Sequence, residues 1–99
     1  MSKITQGRRI YPETDGYLDP EKINQPACYG KATAPKSGSA AGWWQVTAPD
    51  GSIGSISPKI HTVTEHEDGT ITLSPSLDFS QRKPGAWHGW LERGIFRSI

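Results

Sequence analysis

The residues best suited to chemistry lie in the last third of the chain, where a Ser-Pro-Ser segment precedes a histidine. Ser74 or Ser76 could act as a nucleophile if His88 accepted its proton. An acid such as Asp78 or Glu92 would then orient the imidazole. The chain lacks both the Gly-x-Ser-x-Gly turn and the strand-to-helix switch that hold a strained nucleophile. Hydroxyls at a bend more simply satisfy backbone groups where a strand ends, and the sequence favours that role.

The residue types give little reason to expect a bound metal ion or cofactor. A zinc site built from histidine alone needs three imidazoles about 2.0–2.1 Å from the ion. The chain has His61, His66 and His88, but strand alternation places the first two on opposite faces. One cysteine, Cys28, allows neither an internal disulfide nor a cysteine-based zinc site. We therefore predict no metal and no cofactor.

Length and charge limit the classes of protein that fit this sequence. At 99 residues the chain makes one domain, and its net charge of +1 creates no field that would attract nucleic acid or an anionic membrane. Arg8-Arg9 is a small basic spot that we expect to be solvated. No apolar run approaches the ~18 residues of a membrane span, and the N-terminal residues lack the apolar core of a signal peptide. Together with the lone thiol, these features predict a cytoplasmic protein.

Alternating residues and turn signals predict an all-β fold for residues 42–99. About six short antiparallel strands in a meander would form a curled sheet, a sandwich or a small barrel. Residues 1–41, rich in Pro, Gly, Ser and Ala, are predicted to form a mostly irregular N-terminal arm and loop within the same single domain. One short helix fits there, with Asp19 as its cap and Pro20 at its first position.

Turn sequences at residues 49–51, 67–69 and 93–94 set the expected strand register. A three-residue loop at 67–69 pairs Val63 with Leu73, which gathers the apolar residues of that hairpin on one face. A two-residue turn at 93–94 pairs Leu91 with Phe96. The sequence therefore predicts three hairpins, each with one face toward the core.

The four tryptophans divide between core and surface. Trp44 and Trp87 alternate with the apolar residues, whereas Trp43 and Trp90 share their faces with polar neighbours. Trp90 lies opposite Arg97 in the predicted hairpin, a position suited to a cross-strand cation–π pair. An exposed tryptophan beside an arginine is typical of a protein interface. The residues predicted to contact a partner are Trp43, His88, Trp90, Glu92 and Arg97.

The C-terminal third also carries an ordered set of short motifs: Ser74-Pro75-Ser76-Leu77, a loop to Gly85, His88-Gly89-Trp90-Leu91, Gly94 and Ile95-Phe96. This arrangement resembles a family of small uncharacterised proteins from phages, prophages and bacteria. The resemblance implies a phage or prophage origin and a cytoplasmic setting, and it brings no activity. Many members have a cysteine just before the histidine, and some carry Cys/His pairs suggestive of zinc. Ala86-Trp87 stands there in this chain, so a zinc role does not carry over.

The sequence thus predicts a small, non-enzymatic protein-binding module of phage or prophage type. It would occupy the surface of a host or phage protein, and inhibition of a bacterial defence protein is one concrete version. Two alternatives stay open. One is a ligand or metal site around His88, hydrolytic in one version. The other is a structural subunit of a phage assembly, in which residues 1–41 become ordered only on assembly. The oligomeric state and the partner's identity do not follow from the sequence.

Overall fold

The computed structural model describes residues 3–33, 43–57, 59–81 and 83–99. The structure is 43% strand and 8% helix, and none of the described residues belongs to a helix of seven or more residues, so the predicted all-β class is confirmed. The elements of the described residues are β1 (Ile4–Gln6), β2 (Arg8–Ile10), α1 (Pro20–Ile23), β3 (Cys28–Lys31), β4 (Trp44–Thr47), β5 (Ile53–Ile56), β6 (Thr62–Glu65), β7 (Ile71–Ser74), β8 (Leu77–Asp78), a 3₁₀ turn (Phe79–Gln81), β9 (His88–Glu92) and β10 (Ile95–Ser98).

These strands form three sheets rather than one meander. The first sheet has the order β1-β10-β9-β8, the second has the order β2-β3-β4-β5, and β6 and β7 pair as a separate hairpin. All the pairs are antiparallel except β2 with β3, which run parallel. The described residues from 43 to 99 hold seven strands, β4 to β10, against the six expected there, because the two-residue β8 was not predicted.

The N-terminal part differs from the irregular arm predicted for residues 1–41. It contributes β1 to the edge of the first sheet, and β2 and β3 to the second sheet. These strands are three or four residues long and carry charged or polar side chains, so they show little apolar alternation. The short helix is confirmed: the Asp19 carboxylate accepts the Glu21 N–H at 3.0 Å and Pro20 opens the helix. Most of the loop predicted at 31–42 lies outside the described residues.

The three predicted hairpins are confirmed. Val63 pairs with Leu73, and Leu91 pairs with Phe96. In the β4–β5 hairpin, Gly51 takes a φ of +90° in the turn. The Arg93-Gly94 turn has positive φ at both residues, +46° and +76°, as a tight two-residue hairpin turn requires.

The main core lies between the three sheets. Its fully buried side chains include Tyr29 and Val46 of the second sheet, Ile71 of the β6–β7 hairpin, and Leu91 and Phe96 of the first sheet. Trp44 is buried in this core and Trp87 packs against it, as predicted, with the Trp87 and Phe96 rings edge-to-face at 5.7 Å. Gly89 makes this possible, because a Cβ there would collide with the Trp87 ring and the Arg97 carbonyl.

A second, smaller cluster covers the other face of the second sheet. Ile10, Ile23 and Cys28 are buried there, and Leu18 packs against them. Thr47 is also fully buried on this face, and its hydroxyl donates to the Ile23 carbonyl at 2.6 Å. The second sheet is therefore covered by α1 on the side away from the main core.

Arg9 is not the solvated basic residue that the sequence suggested. Its guanidinium lies 4.7 Å from the Tyr11 ring centroid and 4.8 Å from that of Trp44. It also donates to the Glu65 carboxylate at 2.8 Å and to the Gly69 carbonyl at 2.9 Å. Arg9 thus joins the second sheet to the β6–β7 hairpin, a long-range contact that local charge does not reveal.

Candidate functional site

One face of the first sheet points away from the core. The strand register sets Ile4, Arg97 and Trp90 in one row across β1, β10 and β9, and Ile95 opposite Glu92 in the next row. We call this surface the outer face, and it is formed by Ile4, His88, Trp90, Glu92, Ile95, Arg97 and Ile99. Its isoleucines are well exposed, at 70% for Ile4, 37% for Ile95 and 62% for Ile99. The outer face is therefore a partly apolar sheet surface with exposed isoleucines and a half-buried Trp90.

The centre of the outer face is an ordered stack. The Arg97 guanidinium carbon lies 4.7 Å from the Trp90 ring centroid, which confirms the predicted cation–π pair. The same guanidinium donates to the Glu92 carboxylate at 2.7 Å. Both charged side chains are about half exposed, so each contact adds at most ~1 kcal/mol to folding. Their main effect is to hold the Trp90 ring and the Arg97 side chain in one arrangement.

A groove runs beside this stack, between the β6–β7 and β9–β10 hairpins. Its volume is about 540 Å³, and it is lined by Thr64, His66, Thr72, Glu92, Arg93, Ile95 and Arg97. Thr72 connects the two hairpins, because its hydroxyl oxygen lies 2.7 Å from His66 Nε2 and accepts the Arg93 N–H at 3.0 Å. The sequence predicts the polar face of β6–β7 but not its position next to the outer face.

His88 lies at the end of the outer face beside β8. Its Nε2 is 3.4 Å from the Ser76 hydroxyl oxygen, and its Nδ1 is 3.9 Å from an Asp78 carboxylate oxygen. Pairing of β8 with β9 sets Asp78 directly opposite His88. The structure thus brings together one of the two candidate serines and one of the two candidate acids. The other acid, Glu92, binds Arg97 instead.

The Ser76–His88–Asp78 group is held mainly by other hydrogen bonds. The Asp78 oxygen nearest His88 accepts both the hydroxyl and the backbone N–H of Ser80. These bonds, the hydroxyl first, hold the pKa of Asp78 below its ordinary value. A gap of 3.9 Å exceeds hydrogen-bond length, so Asp78 orients His88 only weakly. His61 Nε2 lies 3.3 Å from the Ser76 carbonyl oxygen and helps to fix this bend.

The histidines do not form a ligand set. His66 lies by Thr72 in the groove, whereas His61 and His88 approach different atoms of Ser76. Among the residues that the structure describes, no group of three or more His, Cys, Asp or Glu side chains is arranged to hold a metal ion.

Trp43 lies apart from the other four predicted contact residues. It is half-buried and lines a separate pocket between α1 and the second sheet, together with Tyr17, Asn24 and Gln45. No residue of the outer face lines that pocket. The outer face therefore keeps His88, Trp90, Glu92 and Arg97 as neighbours, and Trp43 belongs to another part of the surface.

No protein-family model matches the sequence; the search of curated proteins finds no similar sequence, and the search of solved structures finds no similar fold. The resemblance to phage and prophage proteins accordingly stays a prediction. No helix within the described ranges is long and apolar enough to cross a membrane.

Proposed function

We propose that this protein is a binding module that recognises another protein through the outer face and does no chemistry on it. The observation that carries the proposal is the ordered Trp90–Arg97 stack with Ile4, Ile95 and Ile99 exposed around it. Tryptophan and arginine dominate the binding energy of protein interfaces, and surrounding apolar contacts exclude water from them. Because the ion pair with Glu92 already orders Arg97, less side-chain freedom is lost on binding.

The chemistry of the outer face suits a protein surface better than nucleic acid. Arg97 and Glu92 largely neutralise each other, and the chain carries a net charge of only +1. Phosphate backbones need several unpaired cations for affinity. The partner that fits has an apolar centre for the isoleucines and Trp90, with polar groups toward the Thr72 and Arg93 side of the groove.

The proposal extends to the biological setting implied by the resemblance. In that version the chain is a phage or prophage accessory protein that acts in the host cytoplasm. Its partner is a host protein, such as a component of bacterial defence, whose surface it occupies. The single cysteine, buried as a free thiol, is compatible with a reducing compartment.

The proposal is tested by comparing how well matched variants, coupled to a support, capture the partner protein from a bacterial lysate. The protein is coupled to a support through Lys59→Cys, an exposed position, while Cys28 is only 1% exposed and does not compete. The paired change Trp90→Ala and Arg97→Ala should weaken binding of the captured protein about 30-fold, as loss of a ~2 kcal/mol hot spot does. Trp43→Ala, which removes a tryptophan outside the outer face, should leave capture unchanged.

Folding must be measured on the same variants. The paired change removes a cation–π contact and an ion pair that each add at most ~1 kcal/mol to folding. The free energy of unfolding of the Trp90/Arg97 variant should therefore fall by no more than about 2 kcal/mol, and the variant should remain folded. If both capture and the thermal midpoint collapse together, these residues are structural and the proposal fails. Equal capture by the unmodified protein and the paired variant would also overturn it.

A second candidate is acyl transfer at Ser76, favoured by the 3.4 Å distance between its hydroxyl and His88 Nε2. The hydroxyl oxygen would attack an ester carbonyl, His88 would take its proton, and the proton would pass to the leaving alcohol. Water would then attack the Ser76 ester, with His88 passing one of its protons to the departing Ser76 oxygen, which releases the acid. Hydrolysis of p-nitrophenyl acetate by the purified protein is the measurement. Ser76→Ala and His88→Ala should each abolish it while Ser74→Ala does not. Turnover that survives Ser76→Ala, or that is absent from the unmodified protein, excludes this candidate.

A further inference from the structure

The pocket that holds Trp43 is separate from the outer face and has its own composition. It encloses about 230 Å³ between α1, the loop before it and the strands β4 and β5. Aromatic side chains, Tyr17 and Trp43 among them, lie beside the amides of Asn24 and Gln45 and the hydroxyl of Ser55. No charged side chain belongs to its described lining. The pocket therefore offers flat apolar surfaces and neutral hydrogen-bonding groups.

The two amides are linked to each other. Gln45 Nε2 donates to Asn24 Oδ1 at 3.2 Å, which ties the C-terminal end of α1 to β4. Each amide has a second polar atom: Gln45 Oε1 accepts hydrogen bonds and Asn24 Nδ2 donates them. Two linked amides that line the pocket thus still have one acceptor and one donor to offer. This arrangement suits a ligand whose neighbouring groups both donate and accept.

The wall that carries these groups is rigidly supported. The buried Thr47 hydroxyl holds the Ile23 carbonyl at 2.6 Å, one residue before Asn24. Asp19 caps the start of the same helix, and the strand pair β3–β4 fixes Gln45 opposite Gly30. Preorganisation of this kind reduces the entropy lost on binding.

We propose that this pocket binds one neutral sugar ring. The C–H face of a sugar packs on aromatic rings such as Trp43, and its vicinal hydroxyls both donate and accept, matching Asn24, Gln45 and Ser55. The volume is below the ~300 Å³ lower bound typical of drug-sized ligands, which limits the ligand to a single ring. The absence of charged residues from the described lining favours a neutral ligand over a phosphorylated one.

Nuclear magnetic resonance titration tests the proposal. Glucose, galactose and N-acetylglucosamine are added separately to ¹⁵N-labelled protein, to well above a dissociation constant of about 1 mM. At least one sugar should shift the Trp43 indole N–H and the side-chain amides of Asn24 and Gln45. Trp43→Ala and Gln45→Ala should weaken binding roughly tenfold or more, with Trp43→Phe retaining part of it.

The control keeps this proposal separate from the proposed function. Trp90→Ala removes a tryptophan of the outer face, so it should lower partner capture and leave sugar binding intact. Trp43→Ala should do the reverse, with an unchanged fold shown by its amide spectrum. Three outcomes would each overturn the sugar assignment. These are no shift with any of the three sugars, shifts only at residues outside the pocket, or shifts with adenosine, titrated in the same way, when no sugar gives any.

Discussion

Arg9 shows how much of this structure depends on one side chain. Its guanidinium lies between the Tyr11 and Trp44 rings and bonds to Glu65 and to the Gly69 carbonyl. A planar guanidinium makes all of these contacts at once, whereas a lysine ammonium lacks the flat face and the fork of donors. With 16% of the Arg9 side chain exposed against 51% for Glu65, the contact is buried mostly on the arginine side.

We therefore expect Arg9→Ala to lower the free energy of unfolding by about 1 kcal/mol, since Glu65 can regain water but Gly69 loses a charged donor. Arg9→Lys should recover only part of this loss. Arg8→Ala, at the exposed neighbouring position, serves as the control and should change stability by about 0.5 kcal/mol or less. Urea denaturation followed by tryptophan fluorescence measures all three. Equal midpoints for the Arg8 and Arg9 variants would contradict the assigned role.

The strand elements that could be predicted are those whose partners are close in sequence. The β6–β7 and β9–β10 hairpins were predicted in register because turn geometry and apolar alternation act over a few residues. β1 could not be found in this way, since its partner β10 lies at the other end of the chain, with Ile4 opposite Arg97. The parallel pairing of β2 with β3 likewise depends on contacts across the intervening helix.

The part of the outer face that lies within one hairpin could also be predicted from local turn geometry and alternation. Alternation along β9 and β10 is enough to place Trp90, Glu92 and Arg97 on one face. It does not show that Thr72 of another hairpin adjoins them, nor that α1 crosses the second sheet to form a pocket with Trp43. Those placements depend on how sheets pack together, which local patterns do not encode.

At the scale of the whole molecule, a turn that recurs at three aspartates makes the stability of the fold depend on pH. Asp50, Asp68 and Asp78 each accept the backbone N–H of the residue two positions on, at 2.9–3.0 Å. Hydrogen bonds from Thr70 and Ser80 lower the pKa of Asp68 and Asp78. Burial opposes ionisation of Asp50, but bonds from Ser52 and from the Trp87 N–H outweigh it and lower its pKa. Arg9 likewise lowers the pKa of Glu65.

The sign of the resulting pH dependence follows from these directions. A carboxylate whose pKa is lower in the folded state stabilises the fold when the pH is above its unfolded value, here 3.8 for aspartate and 4.5 for glutamate. We expect the urea midpoint to fall as the pH drops below about 4.5 and to keep falling through the folded pKa values.

Asp50→Asn should flatten this decline, because it removes one titrating group whose bond to Trp87 ties the β4–β5 turn to the segment before β9. Asp15→Asn, whose carboxylate accepts the Tyr17 N–H within its own turn, is the matched control and should lower the urea midpoint at neutral pH less than Asp50→Asn does. A midpoint that stays constant or rises on acidification would show that these bonds do not contribute as described.

Pairing of β1 with β10 also decides where the ends of the described chain emerge. The Ser98 N–H donates to the Lys3 carbonyl at 2.9 Å, and the Lys3 N–H donates to the Ser98 hydroxyl at 2.8 Å. Whatever extends beyond residues 3 and 99, whether natural sequence or an affinity tag, therefore starts at the rim of the outer face. A fusion partner at either end would sterically block access to the outer face. A short linker between the two ends would instead give a circular permutant, whose new termini would lie in an exposed turn away from the outer face.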